Sequence, residues 1–341
     1  MQTQRVGIVG FGFMGRMHYR CWKQLPGVKV GAICDTNPNL IEDTEKAIGN
    51  IEGAAEGVDF GTIEIYSDFE KMLAEQKPDA VSITLPTFMH VEFTEKALAA
   101  GIHVLCEKPM ALNIPDCRQM IAAAEKSGKV LQIGHCVRFW PEYAQAKELV
   151  DSGAYGKLLA AGFRRLGSAP TWAADNWFAD QQRSGGMVLD LHIHDTDYVQ
   201  YLLGLPRAVH SFAARMPDGG FSHIVTQYLY DDDKVITAEG GWAMCPSFGF
   251  EMSFNLVLEK ASIVYDCTRQ PAFKVCPAQG ETFSPDVAEG DGYSQEIAHF
   301  ARLISGENVP QITTPRQSCD SIRIIEAEIQ SVKTGEKVLI E

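Results

Sequence analysis

Near the start of the chain, residues 5–15 read Arg5-Val-Gly-Ile-Val9-Gly10-Phe-Gly12-Phe-Met-Gly15. The apolar run that ends at Val9 predicts a buried β-strand, and three glycines follow it in the spacing G-x-G-x-x-G. In this arrangement Gly10 makes a tight turn, Gly12 lets a pyrophosphate approach the backbone, and Gly15 lets the following helix pack closely on the strand. The unpaired N–H groups at the start of that helix favour phosphates. The stretch therefore predicts a dinucleotide-binding strand–turn–helix unit.

An acidic residue at the end of the second predicted strand supports this interpretation. Asp35 lies 20 residues after Gly15, where a carboxylate can accept hydrogen bonds from a ribose 2′-hydroxyl. Because a negative charge at this position repels a 2′-phosphate, we predict NAD as the cofactor, with NADP as the alternative. The competing interpretation is that Asp35 only starts the turn Asp35-Thr36-Asn37-Pro38.

The first 134 residues alternate between strand and helix patterns. Apolar residues recur with helical spacing after Gly15 until Pro26-Gly27 ends the helix, and further apolar runs follow. Near-continuous apolar strands separated by helices are typical of a parallel sheet that is covered on both faces. We therefore predict a doubly wound α/β Rossmann domain over residues 1–134, with strands at Arg5–Val9, Val28–Cys34, Ala80–Leu85, His103–Cys106 and Val130–Ile133.

Beyond residue 150 the pattern changes to that of half-buried antiparallel strands. Apolar and polar side chains alternate from Glu251 to Leu258. Helical apolar faces follow over Tyr293–Ile304 and Ile322–Val332. The second predicted domain, residues 135–341, is therefore α+β, with further strands at Leu158–Arg164, Val209–Arg215, Ile224–Tyr230 and Lys234–Glu239.

Composition argues against several classes of function. The 341 residues include 30 Lys and Arg against 44 Asp and Glu, which gives a net charge of −14 and a pI near 5.1. Such a charge disfavours binding to nucleic acid or to an anionic membrane surface. No apolar stretch reaches the roughly 18 residues of a membrane span, and we expect the N-terminal run to be a strand, not a signal peptide. Nine scattered cysteines without a Cys-x-x-Cys pair favour a reduced, cytoplasmic protein.

A lysine after the fourth predicted strand of the first domain is a candidate catalytic group. Lys108 stands in Glu107-Lys108-Pro109, directly after His103–Cys106, and so lies at the carboxyl end of a parallel strand, where ligands bind. Most lysines are solvated surface residues, but the proline that follows Lys108 restricts the backbone and allows a cis peptide bond. These features favour a functional position.

A second polar cluster lies in Gly185-Gly-Met-Val-Leu-Asp190-Leu-His192-Ile-His194-Asp-Thr-Asp197. On a regular helix Asp190, His194 and Asp197 share one face at i, i+4 and i+7. A buried acid–base pair on an apolar helix is costly unless it does chemistry or is well paired. His192 and His194 would lie about 200° apart and could not both bind one ion, so no metal site is predicted.

Together these motifs resemble the glucose–fructose oxidoreductase/inositol dehydrogenase (Gfo/Idh/MocA) family over essentially the whole chain. The resemblance rests on separate motifs, namely the loop 10–15, Asp35, Pro86 with His90, residues 97–101, Glu107-Lys108-Pro109, Gly134, Arg138-Phe139, Gly185-Gly186, Asp190 with His194, Thr314 and Thr334-Gly335 before a last strand at Val338. It implies an N-terminal Rossmann domain followed by a C-terminal domain built on a large open, mostly antiparallel sheet.

The resemblance also implies a hydride-transfer site. Lys108 matches the family's catalytic lysine, which exchanges a proton with the reacting hydroxyl, and His194 matches a histidine that contacts the same oxygen. Asp190 matches the acid that orients substrate or ribose. The implied cofactor contacts are Gly10, Gly12, Phe13, Met14, Gly15, Asp35, Leu85, Pro86, His90, Glu107, Lys108 and Arg138. The implied substrate contacts are Lys108, Trp172, Asp190 and His194.

Some positions depart from the family pattern or keep two interpretations open. His192 stands where a small residue is common, and we expect it to narrow the pocket wall or to change its polarity. Arg138 would contact the cofactor or a substrate oxygen, or else form an interdomain ion pair. Trp172 and Trp177 would stack on a sugar ring or pack in the core. Two smaller departures are the segment Leu85-Pro86-Thr87, which lacks an Asn common in the family, and Ser184-Gly185-Gly186, where the family has three glycines.

The leading hypothesis is an NAD-dependent dehydrogenase that oxidises a cyclic polyol, a sugar or a sugar derivative, with Lys108 and His194 as acid and base. One alternative is an NAD-dependent glycosidase that uses transient oxidation and forms no net NADH. Another is a non-catalytic sugar or dinucleotide sensor on the same fold. Because an open sheet exposes a face or an edge that proteins commonly cover by association, we also predict a homodimer or homotetramer.

Overall fold

The computed structural model describes residues 3–45, 58–170, 177–178, 180–216 and 220–340. The chain forms two compact units, each made of three segments. The first unit consists of Met1–Cys136, Thr171–Ser184 and Gly292–Cys319, and the second of Val137–Pro170, Gly185–Asp291 and Asp320–Glu341. The chain therefore returns twice to the first unit, which a single boundary at 134/135 does not describe.

Fourteen strands and ten α-helices lie in the described ranges. The strands are β1 (Gln4–Val9), β2 (Val28–Cys34), β3 (Glu64–Tyr66), β4 (Ala80–Ile83), β5 (His103–Glu107), β6 (Leu131–Gly134), β7 (Leu158–Gly167), β8 (Ala208–Arg215), β9 (Phe221–Leu229), β10 (Val235–Gly241), β11 (Phe250–Leu258), β12 (Ala261–Asp266), β13 (Phe273–Pro277) and β14 (Val338–Leu339). The helices are α1 (Phe13–Gln24), α2 (Leu40–Glu45), α3 (Phe69–Gln76), α4 (His90–Ala99), α5 (Ile114–Ser127), α6 (Pro141–Asp151), α7 (Gln181–Ser184), α8 (Ile193–Leu203), α9 (Gly292–Ile304) and α10 (Pro315–Thr334). None of these helices has the length and hydropathy that crossing a bilayer requires.

The first unit contains a six-stranded parallel sheet in the order β3-β2-β1-β4-β5-β6. This is the strand order of a doubly wound dinucleotide-binding fold, so the predicted Rossmann topology is confirmed. Every residue of β4 and β6 is buried, as expected for strands covered on both faces. The edge strand β3 was not predicted, because Glu64–Tyr66 is short, largely exposed and has no apolar run.

One helix from the C-terminal part of the chain packs in the first unit. α9 lies against α1, where the rings of Trp22 and Phe300 meet edge to face with centroids 6.1 Å apart. Both side chains are fully buried, and Ile297 joins the same cluster. The periodicity of residues 293–304 predicted an apolar face correctly, but it carried no information about which sheet that face would cover.

The second unit contains an eight-stranded sheet in the order β13-β12-β11-β7-β10-β9-β8-β14. All neighbours are antiparallel except β7 and β10, which run parallel. The mostly antiparallel second sheet is therefore confirmed, although the residue pattern alone had left β12 and β13 out. One face of the sheet carries a cluster of aromatic rings, in which Tyr143 of α6 contacts Tyr198 of α8 and Phe254 of β11 at centroid distances of 4.7 and 4.8 Å.

The other face of this sheet is open within the second unit. Phe212 of β8 is paired with Val225 of β9, so the two side chains lie on the same face, and they are 63% and 40% exposed. Val225 is paired in turn with Glu239 of β10, and Glu239 with Arg164 of β7. A row of exposed apolar residues thus continues into a row of paired charges across this face.

Candidate functional site

The three glycines of the loop after β1 have different surroundings. Gly10 adopts a φ of +82°, which favours glycine. A Cβ atom on Gly15 would overlap the carbonyl oxygen of Gly10, so only glycine fits where α1 meets the strand. Gly12 is the N-cap of α1, is exposed, and has no heavy atom within 4 Å of its Cβ position. The loop therefore fits the pyrophosphate of a dinucleotide, because it is packed at Gly10 and Gly15 and open at Gly12.

Asp35 follows β2 directly and binds the glycine loop. Its Oδ2 accepts a hydrogen bond from the N–H of Phe11 at 2.6 Å, and its Oδ1 accepts one from the N–H of Asn37 at 2.8 Å. The turn suggested by the competing interpretation is thus present, and the same carboxylate also ties the loop to β2. A carboxylate has about four acceptor positions, so capacity remains for a ribose hydroxyl.

Thr84, which sequence reasoning did not single out, supports the loop from the neighbouring strand. It follows β4, and its hydroxyl donates to the carbonyl oxygens of Val9, at 3.1 Å, and Gly10. Its position after the strand next to β1 in the sheet is the signal that could have identified it. Leu85 and Pro86, predicted as cofactor contacts, come next and are half-buried.

His90, a predicted cofactor contact, lies close to two backbone carbonyl oxygens. It begins α4 and is 1% exposed. Its Nδ1 lies 2.9 Å from the carbonyl oxygen of Pro109, and its Nε2 lies 2.8 Å from the carbonyl oxygen of Leu85. Burial lowers the pKa of His90, while the two carbonyl groups oppose that shift. The ring braces the loops after β4 and β5 from inside, and its cofactor contact stays a prediction.

Lys108 lies in a turn at the carboxyl end of β5, and the Lys108–Pro109 peptide bond is cis, as the proline allowed. The Lys108 side chain is half-buried, and its backbone N–H donates to Oε2 of Glu107 at 3.1 Å. The other carboxylate oxygen of Glu107 lies 2.9 Å from Nε2 of His18. Since β1, β4 and β5 are neighbours in a parallel sheet, Lys108 and the glycine loop lie at the same sheet edge.

The buried carboxyl group of Glu107 carries a negative charge. Burial raises its pKa, but the hydrogen bond and charge of His18, together with the charge of Lys108, outweigh that effect and hold the pKa below its usual range. Both carboxylate oxygens are already hydrogen-bonded within the first unit. The predicted contact of Glu107 with the cofactor would therefore add to these bonds rather than replace them.

Asp190 and His194 belong to the second unit, on a segment that is not a regular α-helix. The residues Val188–His192 form a π-helical turn, and α8 continues from Ile193. A π-turn closes i→i+5 hydrogen bonds, so the common face predicted from i, i+4 and i+7 spacing does not apply here. Asp190 is 9% exposed and His194 is half-buried. π-turns of this kind are frequent at functional sites.

His192 does not line a pocket wall, and that expectation was wrong. Its side chain is fully buried against Gly240 of β10, where a Cβ atom would lie 2.6 Å from Nδ1 of the histidine. Its Nε2 lies 3.4 Å from Oε2 of Glu328 on α10. Burial lowers the pKa of His192 to about 3 and raises the pKa of Glu328 to about 8. At neutral pH an imidazole therefore faces a neutral carboxyl group.

Arg138 forms a buried ion pair within the second unit. Its Nε and Nη2 donate to Oδ2 and Oδ1 of Asp197, each at 2.8 Å, and both side chains are at most 1% exposed. Ser321 of α10 donates to the same carboxylate at 2.7 Å. The ion pair is not interdomain, because Arg138 and Asp197 share one unit, and the cofactor contact of Arg138 stays a prediction.

A second buried ion pair holds the same helix to the sheet. Nε of Arg165 on β7 donates to Oδ2 of Asp195 on α8 at 2.9 Å. Burial raises the pKa of Asp195, and the charge and hydrogen bond of Arg165 oppose that shift. His194 stands next to Asp195 in the chain, so the helical turn that carries it is fixed by Asp195 and Asp197.

The remaining site predictions concern tryptophans and metals. Trp172 lies outside the described residues. Trp177 is half-buried and stacks on Phe178 with ring centroids 4.1 Å apart, which is a packing contact. Within the ranges that the structure describes, no group of three His, Cys, Asp or Glu side chains has the geometry of a metal site.

Comparison with protein families identifies both parts of the chain. Residues 4–135 match the model described as an oxidoreductase family with an NAD-binding Rossmann fold, and residues 143–264 match the C-terminal domain of the same family. The chain belongs to the Gfo/Idh/MocA oxidoreductase family. The glycine loop at the carboxyl end of β1 is therefore part of an NAD-binding Rossmann domain.

Individual relatives and a solved structure agree with this membership. D-glucoside 3-dehydrogenase of Escherichia coli is 29% identical over 98% of this chain and 97% of its own length. The 2,7-anhydro-N-acetylneuraminate hydratase of Mediterraneibacter gnavus is 29% identical over 69% of this chain, and the match spans 58% of that protein. A levoglucosan dehydrogenase in complex with NADH and levoglucosan shares the fold, with a TM-score of 0.83, 22% identity, and coverage of 99% of this chain and 100% of that chain.

Proposed function

We propose that this protein is an NAD-dependent dehydrogenase that oxidises a hydroxyl group of a sugar, a sugar derivative or a cyclic polyol, with Lys108 and His194 as acid and base. The observation that carries the proposal is the position of Lys108. Its side chain is half-buried at the sheet edge that also carries the NAD-binding loop, and its backbone is held by Glu107. A lysine so placed is within the unit that holds the cofactor, where proton transfer has to accompany hydride transfer.

The proposed reaction removes a hydride and a proton from one CH–OH group. When bound, NAD⁺ supplies the hydride acceptor, and the substrate becomes a carbonyl compound. Lys108 takes the hydroxyl proton at Nζ in the direction of oxidation and returns it in the direction of reduction. The proposal also assigns His194 a contact with that oxygen and Asp190 the orientation of the substrate or the ribose. Phe13, Met14, Leu85 and Pro86 would line the cofactor beside the glycine loop.

The substrate class is supported by the relatives. The match to a D-glucoside 3-dehydrogenase covers 97% of that protein. Asp35 favours NAD over NADP, because its carboxylate would repel a 2′-phosphate. All nine cysteines lie in the described ranges and none forms a disulfide, which supports a reduced, cytoplasmic setting.

A substrate panel tests the proposal. The protein is mixed with NAD⁺ or NADP⁺ and with sugars, methyl glycosides, inositols or linear polyols, and NADH is followed at about 340 nm. We expect turnover with NAD⁺ and at least one member of the panel. Lys108→Ala should lower kcat by about 100-fold or more. Lys71→Ala, at an exposed lysine of α3, is the matched control and should behave as the native protein. Unchanged turnover in Lys108→Ala would show that the assigned mechanism is wrong.

A second candidate function is a redox-neutral reaction that uses NAD transiently, such as cleavage of a glycosidic bond. The observation in its favour is that one relative is named a hydratase, which is not a net oxidation. This candidate predicts that aryl glycosides are consumed without net absorbance change at about 340 nm. A non-catalytic sensor predicts saturable NAD or sugar binding with no turnover in either assay.

We also propose that the open face of the second sheet forms a homodimer or homotetramer interface. The exposed side chains of Phe212, Val225, Val235 and Val257 lie on strands β8 to β11. Exposed apolar side chains that gather on one face of a sheet mostly mark an interaction site. Multi-angle light scattering of the native protein should give a multiple of 37.6 kDa. Phe212→Glu should lower the assembly state, and a native monomer would contradict the proposal.

A further inference from the structure

A buried chain of hydrogen bonds leads from α1 to the backbone of Lys108. His18 lies in the middle of α1 and is fully buried. Its Nε2 is 2.9 Å from Oε1 of Glu107, and Oε2 of the same carboxylate accepts the N–H of Lys108 at 3.1 Å. The Glu107 carboxylate therefore connects a helix that starts at the NAD-binding loop with the residue that carries the proposed base.

The hydrogen in the first of these bonds comes from His18. Glu107 is ionised at neutral pH, since its pKa lies below its usual range, and a carboxylate can only accept hydrogen bonds. Nε2 of His18 must therefore carry the hydrogen. Nδ1 has no hydrogen-bond partner among the residues that the structure describes. The ring thus makes one directed hydrogen bond, and that bond goes to Glu107.

The surrounding backbone is built around this carboxylate. Gly134 of β6 is paired with Glu107, and a Cβ atom at Gly134 would lie 3.2 Å from the Cδ and Oε1 atoms of the glutamate. Such a contact is tight, so the glycine leaves the space in which the carboxylate can face His18. On the far side of Lys108, the carbonyl oxygen of Pro109 is held by His90 at 2.9 Å. The turn is thus fixed on both sides of Lys108.

Charged and titratable groups reach Glu107 from several elements. They are His18 from α1, His90 from α4, and Cys106 and Lys108 from β5 and its turn. The His18 side chain hydrogen-bonds to the carboxylate, whereas Lys108 bonds to it through its backbone N–H. Attraction to the charge of Lys108 helps to lower the pKa of Glu107, so removing the His18 bond would free the carboxylate to move toward the Lys108 ammonium group.

We propose that His18 is a positioning residue for Lys108, because it holds the Glu107 carboxylate on the backbone N–H of Lys108. This role deepens the proposed function and rests on it, since Lys108 matters as the acid and base of the reaction. His18 touches neither substrate nor cofactor in this proposal and acts through Glu107.

The test compares two amides at position 18. In His18→Gln the side-chain amide reaches about as far as Nε2 and can still donate to Glu107, whereas in His18→Asn it ends near the position of Nδ1. Both variants keep a polar group on α1, so neither buries a new apolar side chain. The readout is the rate at which acetic anhydride labels Lys108 in the full chain, measured across pH by mass spectrometry of its peptide.

In His18→Asn we expect the labelling midpoint of Lys108 to move to higher pH by about half a unit or more, because an ionised carboxylate released toward an ammonium group stabilises its charged form. His18→Gln should keep the native midpoint. Glu107→Gln should move the midpoint to lower pH, and the double variant His18→Asn/Glu107→Gln should match Glu107→Gln alone, since His18 then has no carboxylate to act through. A native midpoint in His18→Asn would overturn the proposal, as would additive shifts in the double variant.

His103→Leu is a matched control at the other end of β5. His103 also holds a backbone N–H, that of Val130 at 3.0 Å, but it lies away from Glu107. This variant should lower stability without moving the labelling midpoint. A midpoint shift as large as that of His18→Asn would overturn the proposal, because any loss of strand packing would then suffice.

Kinetics separate this proposal from the proposed function. With an active substrate, His18→Asn should lower kcat by about tenfold or more while KM and the affinity for NAD stay near native, because a displaced base affects the chemical step. The labelling experiment needs no substrate and no NAD. If Lys108→Ala keeps its turnover, the proposed function fails while the labelling result still decides the role of His18. If Lys108→Ala loses its turnover but the labelling midpoint of Lys108 stays native in His18→Asn, the proposed function stands and the positioning role of His18 fails.

Discussion

Replacing Arg138 by methionine should destabilise the second unit strongly and leave NAD binding unchanged. The two 2.8 Å bonds between Arg138 and Asp197 are fully buried, and Ser321 donates to the same carboxylate. Loss of the guanidinium group would leave one carboxylate charge buried with a hydroxyl partner. Breaking a buried pair in this way costs about 3–5 kcal/mol. For a unit of this size, about 2–4 °C per kcal/mol gives a fall in Tm of roughly 6–20 °C.

The assay follows urea and thermal unfolding by circular dichroism, with NAD affinity measured by calorimetry on the folded variant. Arg138→Met/Asp197→Asn should recover much of the lost stability, because no unpaired charge remains buried. Arg302→Met, at an exposed ion pair with Glu307, is the control and should keep the native Tm. Native stability in Arg138→Met together with a tenfold weaker affinity for NAD, roughly 1.4 kcal/mol, would refute the reasoning and restore the cofactor contact.

Two further predictions concern the glycine loop and the buried carboxyl group of Glu328. Gly15→Ala should lower both Tm and NAD affinity, because the new Cβ atom would overlap the Gly10 carbonyl oxygen. Gly12→Ala should keep the native Tm and lose NAD affinity, because its Cβ position is open. Calorimetry that finds the native NAD affinity in both variants would contradict this. The pKa of Glu328 is about 8 in the folded chain, against an ordinary value of 4.5 in the unfolded chain. The folded state therefore binds the proton more tightly, and the contribution of Glu328 to the free energy of unfolding falls as pH rises between these two values. Glu328→Gln should remove this loss of stability with rising pH and should be more stable than the native protein at pH 8. Urea titrations at about pH 5, 6.5 and 8 measure the free energy of unfolding. A pH dependence identical to that of the native protein would contradict the raised pKa of Glu328.

The NAD-binding loop could be predicted because its determinants are local. Strand, turn and helix start all lie within residues 5–15, and the three glycines face steric demands that follow from the strand–turn–helix geometry alone. The cis bond before Pro109 and the position of Lys108 at the end of β5 are equally local. Where a few consecutive residues determine the backbone conformation, the spacing of those residues was sufficient to predict the structure.

Side-chain direction was the part that spacing could not supply. His90, His192 and Arg138 were each assigned toward a ligand or a pocket wall, and each has a partner distant in sequence that the spacing did not reveal. Those partners are the carbonyl of Pro109, the carboxyl group of Glu328 and the carboxylate of Asp197. A buried polar residue takes whichever partner the fold brings to it, and that choice depends on packing between elements.

The π-turn was missed for a related reason. The spacing of Asp190 and His194 suits an α-helix, and the extra residue of the turn becomes apparent only when the segment is packed beside β10. α9 gives the same lesson at a larger scale, because its apolar periodicity was correct while its covering partner, α1, lies near the other end of the chain.

The three-segment composition of the first unit has a consequence for how the protein is made. A ribosome releases β1 to β6 early, but Phe300 and Ile297, which cover Trp22, leave only after the main segment of the second unit, 185–291, has been synthesised. At about 5–20 residues per second, this interval is roughly 10–30 s. During this interval the nascent Rossmann sheet exposes an uncovered tryptophan on α1 to solvent. Chaperone binding in that interval would therefore be directed to α1, and a chain truncated after Cys136 would keep this surface permanently.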